Sequence, residues 1–306
     1  MGIDIVVKQL AILFITMGIG YLTSKIKLLS EDTNKLISKL IIYVTMPCTI
    51  LNSVMNGSVN STTSDALIFV AIAFATFAVS IALSFFVPQL LHCGKEDRGI
   101  YRFAMVFGNA SYMGIPVISA ILGPRAIFYL AIANIPISIL TYTLGILLVS
   151  GKSTKIRPRE ILNPCLFAAF IILIIFLTNF KTPKIIADTT QLIGAITTPG
   201  AMLAIGSTLA TVPFLEVITK WRLHVVAVVK LFIVPAAAWL ILRPFVSNAL
   251  IFNVAILIAA MPTAANATLL AFQFGSDEKL GSSLVFITTL LSAISIPIVT
   301  LLFVIA

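Results

Sequence analysis

The sequence predicts an all-α polytopic membrane protein whose ten transmembrane helices form a 5+5 inverted repeat, with helices four and nine broken. Three observations lead to this prediction. Hydrophobic residues make up 59% of the 306 residues and charged residues only 10%, with a mean hydropathy of +1.12, which is far too apolar for a soluble domain. The chain resembles itself after a shift of 152 residues. Each half also contains one long apolar segment interrupted by helix-breaking residues.

Ten apolar segments are candidates for membrane spans. A helix needs about 20 residues to cross a hydrocarbon core about 30 Å thick, and most of the segments reach that length. They cover residues 5–23, 36–55, 66–91, 101–121, 125–149, 161–179, 186–210, 222–243, 249–274 and 281–305. Segments seven and nine are the least uniformly apolar of the ten.

Basic residues indicate which side of the membrane each connection faces. The odd-numbered connections and the span ends beside them carry 14 Lys and Arg residues, whereas the even-numbered connections and their flanking span ends carry 4. Cytoplasmic connections are enriched in these residues, so we expect a multi-pass protein of the cell (inner or plasma) membrane with both termini outside. The net charge of +9 is then explained by topology and by attraction to the anionic headgroups of the lipid bilayer. Nucleic acid is not expected as a partner.

The internal repeat predicts how the halves are oriented. After the 152-residue shift, polar and turn residues coincide along with apolar ones. The identical pairs are Ile41 and Ile193, Thr45 and Thr197, Pro47 and Pro199, Leu51 and Leu203, and Gly123 and Gly275. Because each half contains an odd number of spans, the second half enters from the opposite side, as in secondary transporters. The predicted domains are a first repeat over 1–150, a short cytoplasmic connection over 151–160 and a second repeat over 161–306.

Two of the apolar segments contain a helix break. The first break runs from Gly108 to Pro116 and the second from Ala260 to Thr268, and each combines Pro or Gly with Asn and hydroxyl residues. An unpaired backbone amide in lipid is costly, so broken backbone is tolerated only where protein buries it or where it lines a cavity. Paired interruptions of this kind point to the binding site of a transporter.

The residues at and around the breaks suit an organic anion. A half-helix N-terminus offers free N–H groups and a partial positive charge, and the Asn side chains can donate hydrogen bonds to a carboxylate. Lys230 is the one basic residue deep in a span, where it can face an anion, pair as a counter-ion or snorkel toward the cytoplasm. The predicted substrate-binding residues are Asn109, Ser111, Tyr112, Gly114, Pro116, Pro262, Asn266, Thr268, Thr45, Pro47, Thr197, Pro199 and Lys230.

Structural roles for several of these residues remain open from the sequence. The two asparagines can instead connect neighbouring helices, as polar residues in bundles often do. Pro47 and Pro199 can be simple kinks, and Tyr112 can pack rather than line a cavity.

The sequence does not indicate an enzyme. No Asp or Glu lies in the middle of a span, which argues against carboxylate-based proton relays and against intramembrane aspartate enzymes. Motifs of zinc proteases, serine hydrolases and phosphate-binding loops are absent. The three Cys and two His residues have no metal-ligand spacing. We therefore expect no catalytic residues, no metal and no cofactor.

The stretch from Asn109 to Pro116 resembles the fourth-helix signature of the auxin efflux carrier family, in its bacterial malate-permease-like branch. The segments 43–47, 261–277 and 288–297 strengthen the resemblance, which covers essentially the whole chain. It implies that broken helices four and nine cross beside the substrate, that a scaffold subdomain forms a homodimer, and that the cargo is an organic anion such as a dicarboxylate or, in plants, auxin. Ala267 departs from the plant members of the family, which commonly have a second proline there.

The hypothesis from the sequence is an alternating-access carrier of small organic carboxylate anions. With no protonatable carboxylate in the spans, electrogenic efflux is its simplest energetics. One alternative is a sodium-coupled importer resembling bile-acid symporters, in which sodium would be bound by backbone carbonyls freed by the prolines together with the side chains of Thr45, Thr197 and Asn residues. Another is a membrane sensor that binds a ligand without transporting it.

Overall fold

The computed structural model describes residues 3–55, 62–151, 164–213, 217–274 and 276–305. Residues 152–160 of the predicted connection and Gly275 of the repeat lie outside the described residues. In the described part, the regular structure is helical apart from one isolated β-bridge. Its helices are α1 (Ile3–Lys25), α2 (Glu31–Met55), α3 (Thr63–Leu90), α4 (Arg98–Val106), α5 (Gly114–Leu122), α6 (Arg125–Ser150), α7 (Pro164–Thr178), α8 (Lys184–Leu209), α9 (Trp221–Leu242), α10 (Ala249–Ala260), α11 (Asn266–Gln273) and α12 (Glu278–Val304).

Seven of these helices are long and apolar enough to cross a membrane: α1, α2, α3, α6, α8, α9 and α12. Helices α7 and α10 are apolar but shorter, with 15 and 12 residues. Helices α4 and α5 occupy predicted span four, and α10 and α11 occupy predicted span nine. The helix is therefore interrupted over residues 107–113 and again over 261–265. The second interruption lies within the break that the sequence predicts, and the first begins one residue before it.

The described residues form two compact units. The first unit lies within Met1–Val70, Ser111–Ile135 and Leu162–Thr211, and the second within Ala71–Ala110, Pro136–Ile161 and Val212–Ala306. Each unit takes residues from both halves of the chain. The division into a first repeat over 1–150 and a second over 161–306 stays a prediction about sequence symmetry.

In the first unit, α1 packs against the second part of α8. Two glycines allow this approach, because a Cβ at Gly20 would overlap the backbone of Leu203, and a Cβ at Gly206 would overlap the carbonyl of Met17. Small residues let membrane helices approach closely without a hydrophobic driving force. Helix α2 packs against α7 and against the first part of α8.

In the second unit, α12 contacts α4, α9, α10 and α11. This helix is buried along much of its length, and several hydroxyl residues lie inside, among them Thr288, Ser292, Ser295 and Thr300, each 0% exposed. A membrane helix with a buried polar side needs partners on its neighbours. The broken helices provide some of these partners.

Candidate functional site

The backbones of the two helix breaks pair directly with each other in the second unit. The Asn109 N–H donates to the Pro262 carbonyl at 2.7 Å, and the Ala264 N–H donates to the Phe107 carbonyl at 2.9 Å. Gly108 and Thr263 thereby form an antiparallel β-bridge. These bonds satisfy backbone groups that the interrupted helices leave without intrahelical partners.

The local sequence explains why the backbone breaks here. Met261 has the extended conformation (φ −64°, ψ 141°) that a following proline favours, and Pro262 has no N–H to continue the helix. On the other side, a Cβ added to Gly108 would lie 3.2 Å from the Met261 carbonyl oxygen and 3.3 Å from the Met261 Cβ. Glycine at this position permits the close approach of the two non-helical segments.

Lys230 lies in a π-helical turn, Val229–Ile233, inside α9. Pro235 follows this turn and cannot donate a helical hydrogen bond. The Val234 N–H bonds to the Val229 carbonyl five residues back, which is the π-helical pattern. Such single π turns occur frequently at functional sites.

A pocket adjoins the paired breaks within the second unit. Its empty space, including the open mouth, is about 300 Å³. Gly108 and Ala110 line it from the first break, Ile258 and Ala259 from the end of α10, and Lys230 from α9. The remaining lining residues are Thr76, Phe77, Ser80, Val106 and Ile137. Parts of five helices and one break therefore converge on this pocket.

Lys230 is the charged residue of the pocket lining and is only 1% exposed. Within the described ranges, no carboxylate forms an ion pair with it. The hydroxyls of Thr76 and Ser80 donate back along α3, to the Ile72 carbonyl at 2.9 Å and the Thr76 carbonyl at 3.1 Å. The lining is otherwise mostly apolar, so an anion entering the pocket would meet one ammonium group in a low-dielectric surrounding.

The predicted site residues divide between the two units. Asn109, Pro262, Asn266, Thr268 and Lys230 lie in the second unit. Of these, Lys230 lines the pocket, and Asn109 lies between the lining residues Gly108 and Ala110. Asn266 is the first residue of α11, and Thr268 lies in the first turn of the same helix.

The other predicted residues lie in the first unit: Ser111, Tyr112, Gly114, Pro116, Thr45, Pro47, Thr197 and Pro199. The Tyr112 hydroxyl donates to Ser38 Oγ at 3.1 Å. Thr197 Oγ1 shares a 2.8 Å hydrogen bond with Thr49 Oγ1, and Thr49 also donates to the Gly194 carbonyl. Thr45 donates to the Ile41 carbonyl of its own helix. Thr197 therefore joins α2 to α8, a packing role.

The sequence analysis did not identify several residues of the pocket and its surroundings. Thr76 and Ser80 are a polar pair spaced i,i+4 in an apolar span, a pattern that places both on one helix face and was available from the sequence. Thr263 and Thr288 bond at the second break. Thr263 had only the weak signal of a hydroxyl next to Pro262, and Thr288 only that of a hydroxyl in an apolar span. The sequence predicted Lys230 as a substrate-binding residue together with residues of the two breaks, but it did not indicate which other helices would line the pocket with it.

Known proteins resemble this chain over nearly its full length. The family model described as "Membrane transport protein" matches residues 5–300. An "Uncharacterized transporter" of Methanothermobacter thermautotrophicus is 29% identical over 291 residues, which is 92% of each chain. A protein named "Putative malonate transporter" in Rhizobium meliloti is 23% identical over 291 residues, 91% of this chain and 89% of its own. A further uncharacterized transporter, from Methanocaldococcus jannaschii, is 24% identical over 296 residues, 93% of this chain and 94% of its own.

Proposed function

Since this chain belongs to the membrane transport protein family, the one that its fourth-helix signature resembles, we propose that it carries small organic carboxylate anions across the membrane by alternating access. The protein is a multi-pass membrane protein of a transporter family. The observation that supports an anionic cargo is the buried Lys230 in the pocket beside the paired helix breaks.

An anion is the natural partner of this pocket. Burying an ammonium group without a counter-ion is costly, whereas pairing it with a carboxylate in a low-dielectric site recovers much of that cost. A cation would instead meet like charge at Lys230. The mostly apolar remainder of the lining suits a small organic body rather than an inorganic ion.

The residues at the breaks would orient the carboxylate. In this proposal the side chains of Asn109 and Asn266 donate hydrogen bonds to it. The first N–H groups of α11 add the partial positive charge of a half-helix N-terminus. Ser111, Tyr112, Gly114 and Pro116 shape the continuation of the first break into α5.

The proposed architecture is the ten-crossing, 5+5 inverted repeat with both termini outside. The composition of the two units supports it, because predicted spans one, two, six and seven fall in the first unit and spans eight, nine and ten in the second. Spans one and two correspond to six and seven under the 152-residue shift, so equivalent pieces of the repeats are grouped together. The proposed location is the plasma membrane, and the proposed assembly is a homodimer.

The proposed cargo is a small dicarboxylate or an auxin-like acid, and the direction is electrogenic efflux. The R. meliloti relative, which is named "Putative malonate transporter", favours a short dicarboxylate. A membrane potential with a negative interior drives a monoanion outward with about 2.3 kcal/mol per 100 mV, which corresponds to a gradient of roughly 50-fold. The described spans contain no carboxylate that would carry a coupling proton at the pocket.

The test is charge movement in proteoliposomes after rapid addition of malonate, malate, succinate or indole acetate, with and without sodium. Wild type is compared with Asn109→Ala and with the matched control Asn253→Ala, whose side chain donates to the Val304 carbonyl away from the pocket. Sodium-independent currents that Asn109→Ala abolishes and Asn253→Ala retains would support the proposal. Currents that require sodium would favour a sodium-coupled importer. Binding without flux would favour a sensor and refute the carrier.

A further inference from the structure

We infer that Thr263 and Thr288 are positioning residues of the anion site, which hold the two broken backbones in register without touching the cargo. This inference rests on the proposed function for its transport readout. Neither residue belongs to the site that the sequence predicts. Both side chains are 0% exposed, and neither lines the pocket. We call their hydrogen bonds to the two breaks the threonine clasp.

The first bond of the threonine clasp completes the end of α4. The Ala104 carbonyl would accept the N–H of residue 108 if the helix continued, but the chain turns to an extended conformation at Phe107 (φ −98°, ψ 107°). The Thr263 Oγ1 donates to this carbonyl instead, at 3.0 Å. A side chain of the second break thus satisfies a backbone group that the first break exposes.

The second bond connects the breaks to α12. The Thr263 N–H donates to Thr288 Oγ1 at 3.1 Å, and Thr288 Oγ1 donates in turn to the Leu284 carbonyl at 2.7 Å. The Thr288 hydroxyl therefore acts as acceptor and donor at once, as a hydroxyl can. Without it, the buried Thr263 N–H would have no partner.

The threonine clasp matters for binding because the pocket has walls on both broken helices. Gly108 and Ala110 belong to the first break, whereas Ile258 and Ala259 precede the second. The clasp fixes the spacing between these walls, together with the backbone bonds at Asn109 and Ala264. A displacement of about 1 Å in a positioned site is enough to weaken function strongly. Loss of the clasp should therefore lower the affinity for the anion.

The first experiment measures KM and maximal rate for the transported carboxylate in two variants. Thr263→Val keeps the shape of the side chain and loses the hydroxyl, whereas Thr263→Ser keeps the hydroxyl. The matched control is Thr300→Val, because Thr300 is also 0% exposed and donates only within α12, to the Ile296 carbonyl at 2.7 Å. We expect KM to rise about tenfold in Thr263→Val, with little change in maximal rate. We expect Thr263→Ser and Thr300→Val to behave like wild type.

The second experiment follows amide hydrogen exchange over residues 107–110 and 263–265 without any cargo. Thr263→Val, or Thr288→Val if the first variant does not fold, should exchange these amides at least tenfold faster, whereas Thr300→Val should not. Unchanged KM and unchanged exchange would overturn the inference and leave the proposed carrier intact. A wild-type protein that moves no carboxylate would overturn the carrier, and the exchange experiment would still decide whether the clasp exists.

Discussion

Replacing Lys230 by methionine should weaken anion transport and at the same time stabilise the empty protein. Methionine has nearly the same length but no charge, so it tests the ammonium group alone. Lys230 is 1% exposed and lines the pocket, without an ion pair to any described residue. Its charge therefore costs folding free energy when the site is empty and contributes binding free energy when an anion is present.

The size of the expected effect on KM follows from the buried interaction between the Lys230 ammonium group and the carboxylate of the cargo. A hydrogen bond to a charged group contributes about 1.5–3 kcal/mol, and each 1.4 kcal/mol is a factor of ten. Lys230→Met should therefore raise KM for the carboxylate by about 10- to 150-fold. Burying a charge without a partner costs folding free energy, so an apolar side chain of similar length should raise the free energy of unfolding without cargo.

The assay combines carboxylate flux in proteoliposomes with thermal unfolding of the detergent-solubilised protein. Lys279→Met is the matched control, because Lys279 is exposed at the start of α12 and does not line the pocket. It should leave both quantities unchanged. A Lys230→Met variant with wild-type KM would refute the role in binding, and a variant that loses stability would show that Lys230 has a structural counter-ion instead.

Three further predictions concern stability. Gly206→Ala should destabilise the first unit by about 3 kcal/mol or more, because the added Cβ would overlap the Met17 carbonyl. The control Gly18→Ala has open space around the added Cβ and should be neutral. Thermal unfolding measures both variants, and equal effects would contradict the packing argument. Thr197→Val should cost about 1–2 kcal/mol through the lost bond to Thr49, measured by urea unfolding against Thr189→Val, whose exposed hydroxyl bonds only within α8. Burial, and secondarily the charge of Asp277, raises the pKa of Asp97 in the α3–α4 connection. The stability contributed by Asp97 is then complete below its ordinary pKa of about 3.9 and is lost as pH rises through the raised value. Asp97→Asn should remove this pH-dependent loss of stability. An unchanged pH profile of unfolding in that variant would contradict the assignment of the loss to Asp97.

The positions of the helix breaks could be predicted well because their signals are local. Pro262 has no N–H and Gly108 has no Cβ, so each weakens the helix locally, and each stands in a segment that also contains Asn and hydroxyl residues. The helix stops at Val106 and at Ala260, close to where the sequence predicts. The boundaries of the long apolar helices follow from composition in the same way, because lipid allows few alternatives to a helix.

The roles of individual polar residues could not be predicted in the same way. The sequence predicted Thr45 and Thr197 as equivalent site residues because the repeat aligns them. In the structure Thr197 bonds to Thr49, one turn after Thr45 along α2. Tyr112 was open between lining a cavity and packing, and its hydroxyl bonds to Ser38, 74 residues away in the chain. Such partners depend on which helix faces meet, and an apolar sequence with many equivalent faces does not specify that.

By itself, the sequence determined the class of this protein, its family and the two places where a membrane helix breaks, because hydrophobicity, missing amide donors and missing side chains act over a few residues. Only the tertiary structure decided that Lys230 lines one pocket with Gly108 and Ala110 of the first break and that Thr263 reaches Ala104, 159 residues away in the chain. Hydrogen bonds and charge interactions extend only a few ångströms, so they depend on distances that packing sets and that spacing along the chain does not reveal.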